Sequence, residues 1–284
     1  MAFSQPVTNL IHQRYSCRNY RITPIPETAY HELVDFIATL PAGPFNAPNR
    51  FQLAAATEQD SSALRGLGTY GNVKNPSGFI IGATKSAKMD MEDFGLRMET
   101  IVLKATDLGL ATCWLGGFFT RSSFSKKIGG VKGETLPAIC SVGVPVVEKN
   151  VALVDQSRSR LGWDELFFTD NFTSILKPDQ AGAYGVPLEM VRLAPSARNL
   201  QPCRIIKQAN KWHFYLQRSK GYREMVLPDL TGIADLQRID MGIAMAHFEL
   251  AAIEAGLTGQ WQVNDPGLLK PNRLNEYSVS WIPS

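Results

Sequence analysis

Short apolar runs alternate with longer helical patterns along this chain. Apolar runs rich in β-branched and aromatic residues, bounded by turn formers, predict strands. These runs cover residues 78–83, 138–144, 204–207 and 212–217. Apolar residues at helical spacing predict helices at 27–40 and 121–128. Helices and strands mixed in this way are typical of an α+β fold.

Two segments of the chain repeat each other at an offset of 147 residues. Residues 93–114 read D-F-G-L-R-M-E-T-I-V-L-K-A-T-D-L-G-L-A-T-C-W, and residues 240–261 read D-M-G-I-A-M-A-H-F-E-L-A-A-I-E-A-G-L-T-G-Q-W. They align without a gap and share eight identical residues. An offset of about half the chain predicts two related halves rather than a short solenoid repeat. Chance similarity between two core helices is the alternative.

Each repeat predicts a long helix that ends at a glycine. Asp93 and Asp240 stand at the predicted starts, where a carboxylate suits the positive end of the helix dipole. Gly109 and Gly256 are the predicted C-terminal stops. Apolar residues occupy more than one face of each helix, which predicts that both helices are buried. His247, inside the second helix, is then an interior side chain rather than a catalyst.

The repeat predicts an α+β architecture of two related α/β halves. In this interpretation the halves form an intrachain pseudo-dimer around the two long buried helices. The first half is expected at residues 1–150 and the second at 184–284. The turn-rich, weakly periodic segment between them, 151–183, predicts a crossover that carries Arg158 and Arg160.

Composition narrows the possible function classes. The net charge of +3, from 29 basic and 26 acidic residues, is too small to indicate a nucleic-acid or membrane-surface partner. The N-terminus lacks the apolar core of a secretory signal, and no apolar run is long enough to span a bilayer, which predicts a cytoplasmic protein. The four scattered cysteines form no C-x-x-C pair, so reduced thiols are expected and no metal site is predicted.

Two short basic clusters have the chemistry of an anion site. Arg14 and Arg18 flank Ser16, and they share a face whether the segment is helical or extended. Arg158-Ser159-Arg160 again offers two guanidinium groups and a hydroxyl. Guanidinium forks match phosphate oxygens. For each cluster alone, the alternative is a solvated basic turn or loop.

A third polar cluster, A-P-S-A-R-N-L-Q-P-C-R at residues 194–204, precedes a predicted strand. Pro195 and Ser196 predict a tight turn. Asn199 and Gln201 each carry an amide donor and acceptor, as the edge of a heteroaromatic ring requires. Ordinary turn and cap chemistry is the alternative.

Together these motifs resemble the nitroreductase family of FMN enzymes. The resemblance rests on R-x-S-x-R, A-P-S-x-x-N-x-Q-P before a strand, a long buried helix ending in G-L-x-x-C-W, L-P-A-I-C-S-V-G-V-P at 136–145, and R-x-R. It covers most of the chain. Family enzymes are usually homodimers with FMN at the interface, where one subunit supplies R-x-S-x-R and the other the A-P-S turn.

The order of the motifs departs from the family pattern, in which A-P-S comes early in each subunit. The resemblance therefore implies that the second half supplies what a partner subunit usually would. A mirror site is degraded, because the first half has only G-P-F-N-A-P-N-R-F-Q at 43–52 and the second half has no R-x-S-x-R near 184–189. One FMN per chain is expected, and the fused pair is expected to be a monomer or a weak homo-oligomer.

The resemblance assigns the polar part of FMN to the basic clusters. Arg14 and Ser16 would hold the phosphate and ribityl chain, and Arg158 and Arg160 would complete the phosphate site. Arg18 would lie near N1 and O2 of the ring and stabilise the negative charge of the reduced flavin. Many relatives have lysine where Arg18 stands, a change that keeps the charge.

The resemblance also assigns residues to the flavin ring. The backbone at Leu115, Gly116 and Gly117 would approach flavin N5, where glycine permits close contact. Contacts to the isoalloxazine from the opposite side complete the predicted set: Pro195, Ser196, Asn199 and Gln201. Tryptophan is common in relatives where Cys203 stands, so the packing at this position is expected to differ.

The function implied is transfer of hydride from NAD(P)H through FMN to a nitroaromatic, a quinone or a similar small acceptor. Such chemistry needs no dedicated protein acid or base, since the flavin carries it. One rival is a catalytically silent flavin-binding or scaffold protein, for instance with the turn at Phe45 or Tyr70 filling the open face of the flavin. Another is a structural protein that holds no flavin. No motif in the sequence identifies the electron acceptor or a preference between NADH and NADPH.

Overall fold

The computed structural model describes residues 3–57, 60, 62–157, 159–222, 233–269 and 274–284. The chain divides into two compact units, 1–158 and 159–284, and each has its own five-stranded sheet. The finer division into 1–150, 151–183 and 184–284 stays a prediction. Within the described part of the chain, no helix is both long enough and apolar enough to cross a membrane.

The first unit builds an antiparallel sheet with helices around it. Its helices are α1 (Val7–Gln13), α2 (Glu27–Thr39), α3 (Asp90–Asp107), α4 (Arg121–Lys127) and α5 (Val151–Ser157). Its strands are β1 (Asn49–Ala55), β2 (Gly78–Lys85), β3 (Ala111–Leu115), β4 (Glu134–Thr135) and β5 (Ile139–Gly143). The order is β1-β2-β5-β3, and β4 pairs with the end of β2. Strand β3 therefore lies at an edge.

The second unit has a mixed sheet. Its helices are α6 (Trp163–Leu166), α7 (Gly185–Leu193) and α8 (Leu236–Glu254), with 3-10 turns at Pro178–Tyr184 and Ala197–Asn199. Its strands are β6 (Phe167–Thr169), β7 (Cys203–Gln208), β8 (Lys211–Gln217), β9 (Gly259–Gln262) and β10 (Asn275–Pro283). The order is β6-β7-β8-β10-β9, and only the β6–β7 pair is parallel among the described strands.

The strands predicted at 78–83, 138–144, 204–207 and 212–217 are confirmed as β2, β5, β7 and β8. The helices predicted at 27–40 and 121–128 are confirmed as α2 and α4. The α+β class follows from these elements. The sequence pattern missed several shorter elements: the strands β1, β3, β4, β6, β9 and β10 and the helices α1, α5, α6 and α7. In β1, β9 and β10 the apolar residues are too interleaved with polar ones to form a distinct run.

Both long helices are confirmed as buried, and both end where glycine was predicted. Gly109 and Gly256 have φ of 75° and 72°, the left-handed conformation that glycine adopts without strain. In each repeat the N–H of the following leucine bonds back to an alanine carbonyl in the last turn, at 2.9 Å in α3 and 2.8 Å in α8. This is the Schellman ending, and it occurs at equivalent positions of the two repeats.

Both helices begin before the predicted starts. Helix α3 begins at Asp90, and Asp93 is still in its first turn, whereas α8 begins at Leu236 and has no acidic residue in its first turn, so the start predicted at Asp240 was wrong. Both carboxylates are buried and accept hydrogen bonds from another turn of the chain. His247 is confirmed as an interior residue, with no exposed surface and a ring nitrogen 2.8 Å from the Met190 carbonyl oxygen.

Candidate functional site

The R-x-S-x-R segment runs beside the edge strand β3 of the first unit. Ser16 forms a parallel bridge with Thr112, and the N–H of Cys17 donates to the Thr112 carbonyl at 2.8 Å. Because the two segments run in the same direction, the chain from Arg14 to Arg18 follows β3 towards its end at Leu115. The structure thus aligns this motif with the strand that leads into the Gly116–Gly117 bend.

The two arginines of this motif have different surroundings. Arg14 is only 4% exposed, and its Nε lies 3.6 Å from Oε1 of the fully buried Glu99. Ser16 and Arg18 are exposed. Burial raises the pKa of the Cys113 thiol, and the charges of Arg18 and Arg14 oppose that shift. Because Arg14 is buried against Glu99, the exposed positive charge of this segment is that of Arg18.

Arg121, which belongs to none of the sequence motifs, holds the bend after β3. Leu115 is buried, whereas Gly116 and Gly117 are half-buried. Arg121 donates from Nη2 to the Gly116 carbonyl at 2.8 Å. Its guanidinium also lies 4.7 Å from the ring centre of Phe119. The only available sequence signal was a cation placed just after a glycine-rich turn.

In the second unit, the R-x-R segment and the A-P-S turn are joined. Arg160 donates from Nη1 to Asn199 Oδ1 at 2.7 Å and from Nη2 to the Leu193 carbonyl at 3.2 Å. Asn199 Nδ2 donates to the Ser159 carbonyl at 2.9 Å. The backbone N–H of Leu161 donates to Gln201 Oε1 at 2.8 Å. Contacts between residues 33 to 40 positions apart in sequence therefore bring the two clusters together in space.

The A-P-S turn has an unusual backbone. Arg198, Asn199 and Gln201 have φ of 53°, 58° and 49°, in the left-handed region that costs a non-glycine residue of the order of 1 kcal/mol. The N–H of Gln201 donates to Ser196 Oγ at 2.8 Å, and the N–H of Asn199 donates to the Ser196 carbonyl at 2.9 Å. Ser196 thus closes the turn from both sides. Pro195 lines a small cavity of about 20 Å³ beneath it.

These contacts give the amides of Asn199 and Gln201 partners within the protein. Their hydrogen bonds hold the arginine segment and the turn together, which is the turn and cap chemistry recognised as the alternative from sequence. Arg158 lies outside the described residues. Cys203 is buried at the start of β7, and burial raises the pKa of its thiol to about 12.

Two aspartates support the turns that precede β1 and β7. Asp93 accepts from the N–H of Ala47 at 2.9 Å and from that of Phe45 at 3.2 Å. Asp240 accepts from the N–H of Ala197 at 2.9 Å. Burial raises the pKa of both carboxyl groups. In the sequence these residues stand out only as members of the repeat; an identical residue at equivalent positions was the signal for a shared task.

Among the described residues, no three or more histidine, cysteine, aspartate or glutamate side chains lie close enough together to hold a metal ion.

The chain matches a protein-family model, and its fold is similar to that of solved structures. A family model described as "Putative TM nitroreductase" matches residues 6–252. No curated protein matches the chain. The structure is similar to that of a "putative nitroreductase" from Thermotoga maritima, with a TM-score of 0.63 and 18% identity over 99% of this chain and 95% of that one. This likeness extends over both units and shows a shared fold.

Two further solved structures resemble only part of the chain. A nitroreductase family protein from Clostridium difficile has a TM-score of 0.44 and 18% identity, over 57% of this chain and 95% of that one. A "putative nitroreductase in complex with FMN" from Exiguobacterium sibiricum has a TM-score of 0.43 and 16% identity, again over 57% and 95%.

Proposed function

This chain belongs to the nitroreductase family, whose model spans residues 6–252, and from that premise we propose that it is an FMN-dependent oxidoreductase. Its partners would be NAD(P)H as electron donor and a small acceptor such as a nitroaromatic or a quinone. FMN, when bound, supplies the hydride and electron transfer itself. The protein has to bind the cofactor, orient it and stabilise its charge.

The observation that carries the proposal is the course of residues 14–18 beside β3. Exposed Ser16 and Arg18, backed by buried Arg14, present a hydroxyl and positive charge along one sheet edge. That edge ends at Gly116 and Gly117, where a ligand can approach the backbone closely. These donors fit the phosphate and the anionic reduced ring of a flavin mononucleotide.

The residues of the first unit then have distinct tasks. Arg14 and Ser16 would hold the phosphate and ribityl chain, with Glu99 fixing the orientation of the Arg14 side chain. Arg18 would stabilise negative charge at N1 and O2. The backbone at Leu115–Gly117 would lie at N5, and the apolar environment of β3 would limit access of water.

The second unit would supply the half of the site that a partner subunit gives in homodimeric relatives. We propose an intrachain pseudo-dimer with a single FMN, in which Arg160 and the turn of Pro195 and Ser196 take part. Asn199 and Gln201 would act mainly by holding this turn, since their amides already bind the protein. Support comes from the repeated helix ending and the repeated aspartate. Arg158 is included in the proposal as a phosphate ligand. A monomer or a weak homo-oligomer is the expected state.

A catalytically silent flavin-binding protein is the second candidate. It is favoured by one observation, the engagement of the Asn199 and Gln201 amides by Arg160 and Leu161. Protein that binds FMN but whose flavin is reduced by neither NADH nor NADPH would establish this alternative.

The test is the visible absorption of the purified protein after incubation with FMN and gel filtration, followed by anaerobic addition of NADH or NADPH. We expect about one flavin per chain, bleached by at least one of the two donors. Arg18→Gln should lose flavin or slow its reduction, whereas Arg18→Lys should retain both. Arg21→Gln is the matched control, because Arg21 is an exposed arginine three positions along that contacts Glu148 at 3.5 Å. Protein that stays colourless at saturating FMN would overturn the proposal.

A further inference from the structure

Two exposed aromatic side chains lie on neighbouring loops of the first unit. Tyr70 is 71% exposed and Phe118 is 61% exposed, whereas the adjacent Phe119 is only 2% exposed. The two loops are joined directly, since the N–H of Thr120 donates to the Gly68 carbonyl at 3.0 Å. Large aromatic side chains left in solvent on a well-anchored loop indicate a binding surface.

The backbone holds Tyr70 outward at some cost. Tyr70 has φ of 49°, a left-handed conformation that is strained for a bulky residue. The turn is closed by Asn72, whose N–H and side-chain Nδ2 donate to the Thr69 carbonyl at 3.0 and 3.1 Å. Buried Thr69 and Val73 anchor it on either side. Strain of this kind persists where the surrounding structure fixes it, and it is concentrated at ligand sites.

Arg121 brings a positive charge to the same place. It donates from Nη2 to the Gly116 carbonyl, and its Nε–H is buried without a hydrogen-bond partner among the described residues. Arg121 directly follows Thr120, whose N–H donates to the Gly68 carbonyl, so Arg121 lies where the chain contacts the loop that carries Tyr70. A buried guanidinium N–H without a partner is costly unless a ligand completes it.

We propose that Tyr70, Phe118 and Arg121 form the acceptor subsite and that it selects planar aromatic acceptors bearing an anionic group such as a carboxylate. The aromatic rings would pack against the acceptor, and the guanidinium would pair with the carboxylate through charge-assisted hydrogen bonds. This proposal rests on the proposed function, which puts Gly116 and Gly117 beside the flavin. Arg121, bound to the Gly116 carbonyl, would then link acceptor recognition to the bend at N5.

The binding test uses benzoate and benzamide, which have the same ring and differ in charge. Binding is measured by calorimetry on FMN-loaded protein and by perturbation of the flavin spectrum. We expect benzoate to bind tighter than benzamide, and Arg121→Gln to reduce that preference about tenfold or more. Arg121→Lys should retain part of it. Arg65→Gln is the matched control, because it removes an exposed arginine from the segment that precedes Tyr70 and leaves Arg121 and the bend unchanged.

The turnover test compares 4-nitrobenzoate with its methyl ester as acceptors. Arg121→Gln should raise KM for the acid more than KM for the ester, because the ester loses only the support that Arg121 gives to the Gly116 bend. Tyr70→Ala or Phe118→Ala should raise KM for both acceptors by similar factors. Flavin content and the rate of flavin reduction by NAD(P)H are measured for every variant, so that a damaged site is recognised.

The outcomes separate the two proposals. Normal flavin binding and reduction with no benzoate preference, or with a preference that Arg121→Gln leaves intact, would overturn the acceptor subsite while the oxidoreductase function stands. Failure to bind or reduce FMN would overturn the proposed function. Calorimetry with benzoate on the flavin-free protein would then decide the anion subsite by itself, and absence of binding there would overturn it as well.

Discussion

The carboxylate of Asp240 accepts a hydrogen bond from the backbone N–H of Ala197 at 2.9 Å, and so ties helix α8 to the turn that precedes β7. Asp93, 147 positions earlier, does the same for Ala47 and the turn that precedes β1, also at 2.9 Å. The two aspartates occupy the same position of the repeat. One side chain thus performs one structural task in each unit.

Substitutions of Asp240 should separate two roles of its carboxylate, which accepts a hydrogen bond from the Ala197 N–H and can carry a negative charge. Asp240→Ala leaves the Ala197 N–H without its partner, at a cost of about 1–3 kcal/mol. Asp240→Asn keeps an acceptor oxygen and should be close to neutral or stabilising, because burial raises the pKa of the carboxyl and so penalises its ionised form at neutral pH. Because the pKa of Asp240 is higher in the folded state, its carboxyl stabilises the fold most at pH values below its ordinary pKa. That stabilisation is lost as the pH rises through the folded-state pKa.

Urea unfolding at pH 7 and pH 4 measures both variants. An Asp240→Asn protein that is as unstable as Asp240→Ala at pH 7 would show that the negative charge itself is required.

Gly43 is expected to tolerate no side chain. A Cβ built there would lie 2.5 Å from the carboxyl carbon of Asp93, which is fixed by the turn it supports. Gly43→Ala should therefore destabilise the protein by about 1–3 kcal/mol. Gly185→Ala is the matched control, since a Cβ there meets nothing within 4 Å and the backbone is right-handed helical. Thermal unfolding of the two variants tests this prediction. Equal melting temperatures would contradict the close approach of Gly43 to Asp93.

The hydrogen bond from Arg160 to Asn199 should stabilise the A-P-S turn and should also favour retention of the flavin. Arg160→Gln and Asn199→Ala each remove the 2.7 Å hydrogen bond, so the double variant should be less destabilised than the sum of the two. A coupling of about 0.5–3 kcal/mol is typical of residues in direct contact. Denaturant unfolding gives the coupling, and FMN titration of the same proteins gives the change in affinity. Strict additivity in unfolding would mean that the contact carries no net energy.

Acid should weaken the first unit through Glu134. Hydrogen bonds from Arg50 to the Glu134 carboxylate, at 2.9 and 2.7 Å, lower the pKa of that carboxyl from 4.5 to about 2. A depressed pKa means that the stabilisation is complete above pH 4.5 and is lost as the pH falls towards 2. Arg50 is 40% exposed, so solvent screening limits the effect to about 1 kcal/mol.

Glu134→Gln should therefore be less stable than the native protein at pH 7 and nearly equal to it near pH 2.5. Glu148→Gln is the control, because that carboxylate is 79% exposed and lies 3.5 Å from Arg21. A stability difference for Glu134→Gln that does not change with pH would contradict the assignment.

All four cysteines should resist thiol reagents in the folded protein. They are free and buried, and burial raises the pKa of Cys113, Cys140 and Cys203, the last to about 12. Since the thiolate is the reactive form, little of it is present at pH 8. Labelling with a chromogenic aryl disulfide should be slow in the native state and should reach four thiols in guanidinium. Rapid stoichiometric labelling of native protein would show that one of these thiols becomes accessible.

The sequence predicted the two long helices, some of the other regular elements and the family, because those depend on local patterns. Periodicity identified β2, β5, β7 and β8, and the two glycine stops were recognisable because only a left-handed residue ends a helix in this way. The motifs were sufficient for the family because each has a particular residue at a particular spacing. The placement of Asp240 at a helix start failed because no local pattern indicates that a carboxylate serves a distant turn.

By itself the sequence determined the α+β class, the repeat, and the residue types that a flavin phosphate site requires, since these follow from spacing and composition. Tertiary structure decided the burial and the partners of each of these side chains. It paired Arg14 with Glu99, left Ser16 and Arg18 in solvent, and bound the amide of Asn199 to Arg160. The reason is physical: burial and hydrogen-bond partners are set by residues far away in the chain, and a motif contains no record of them.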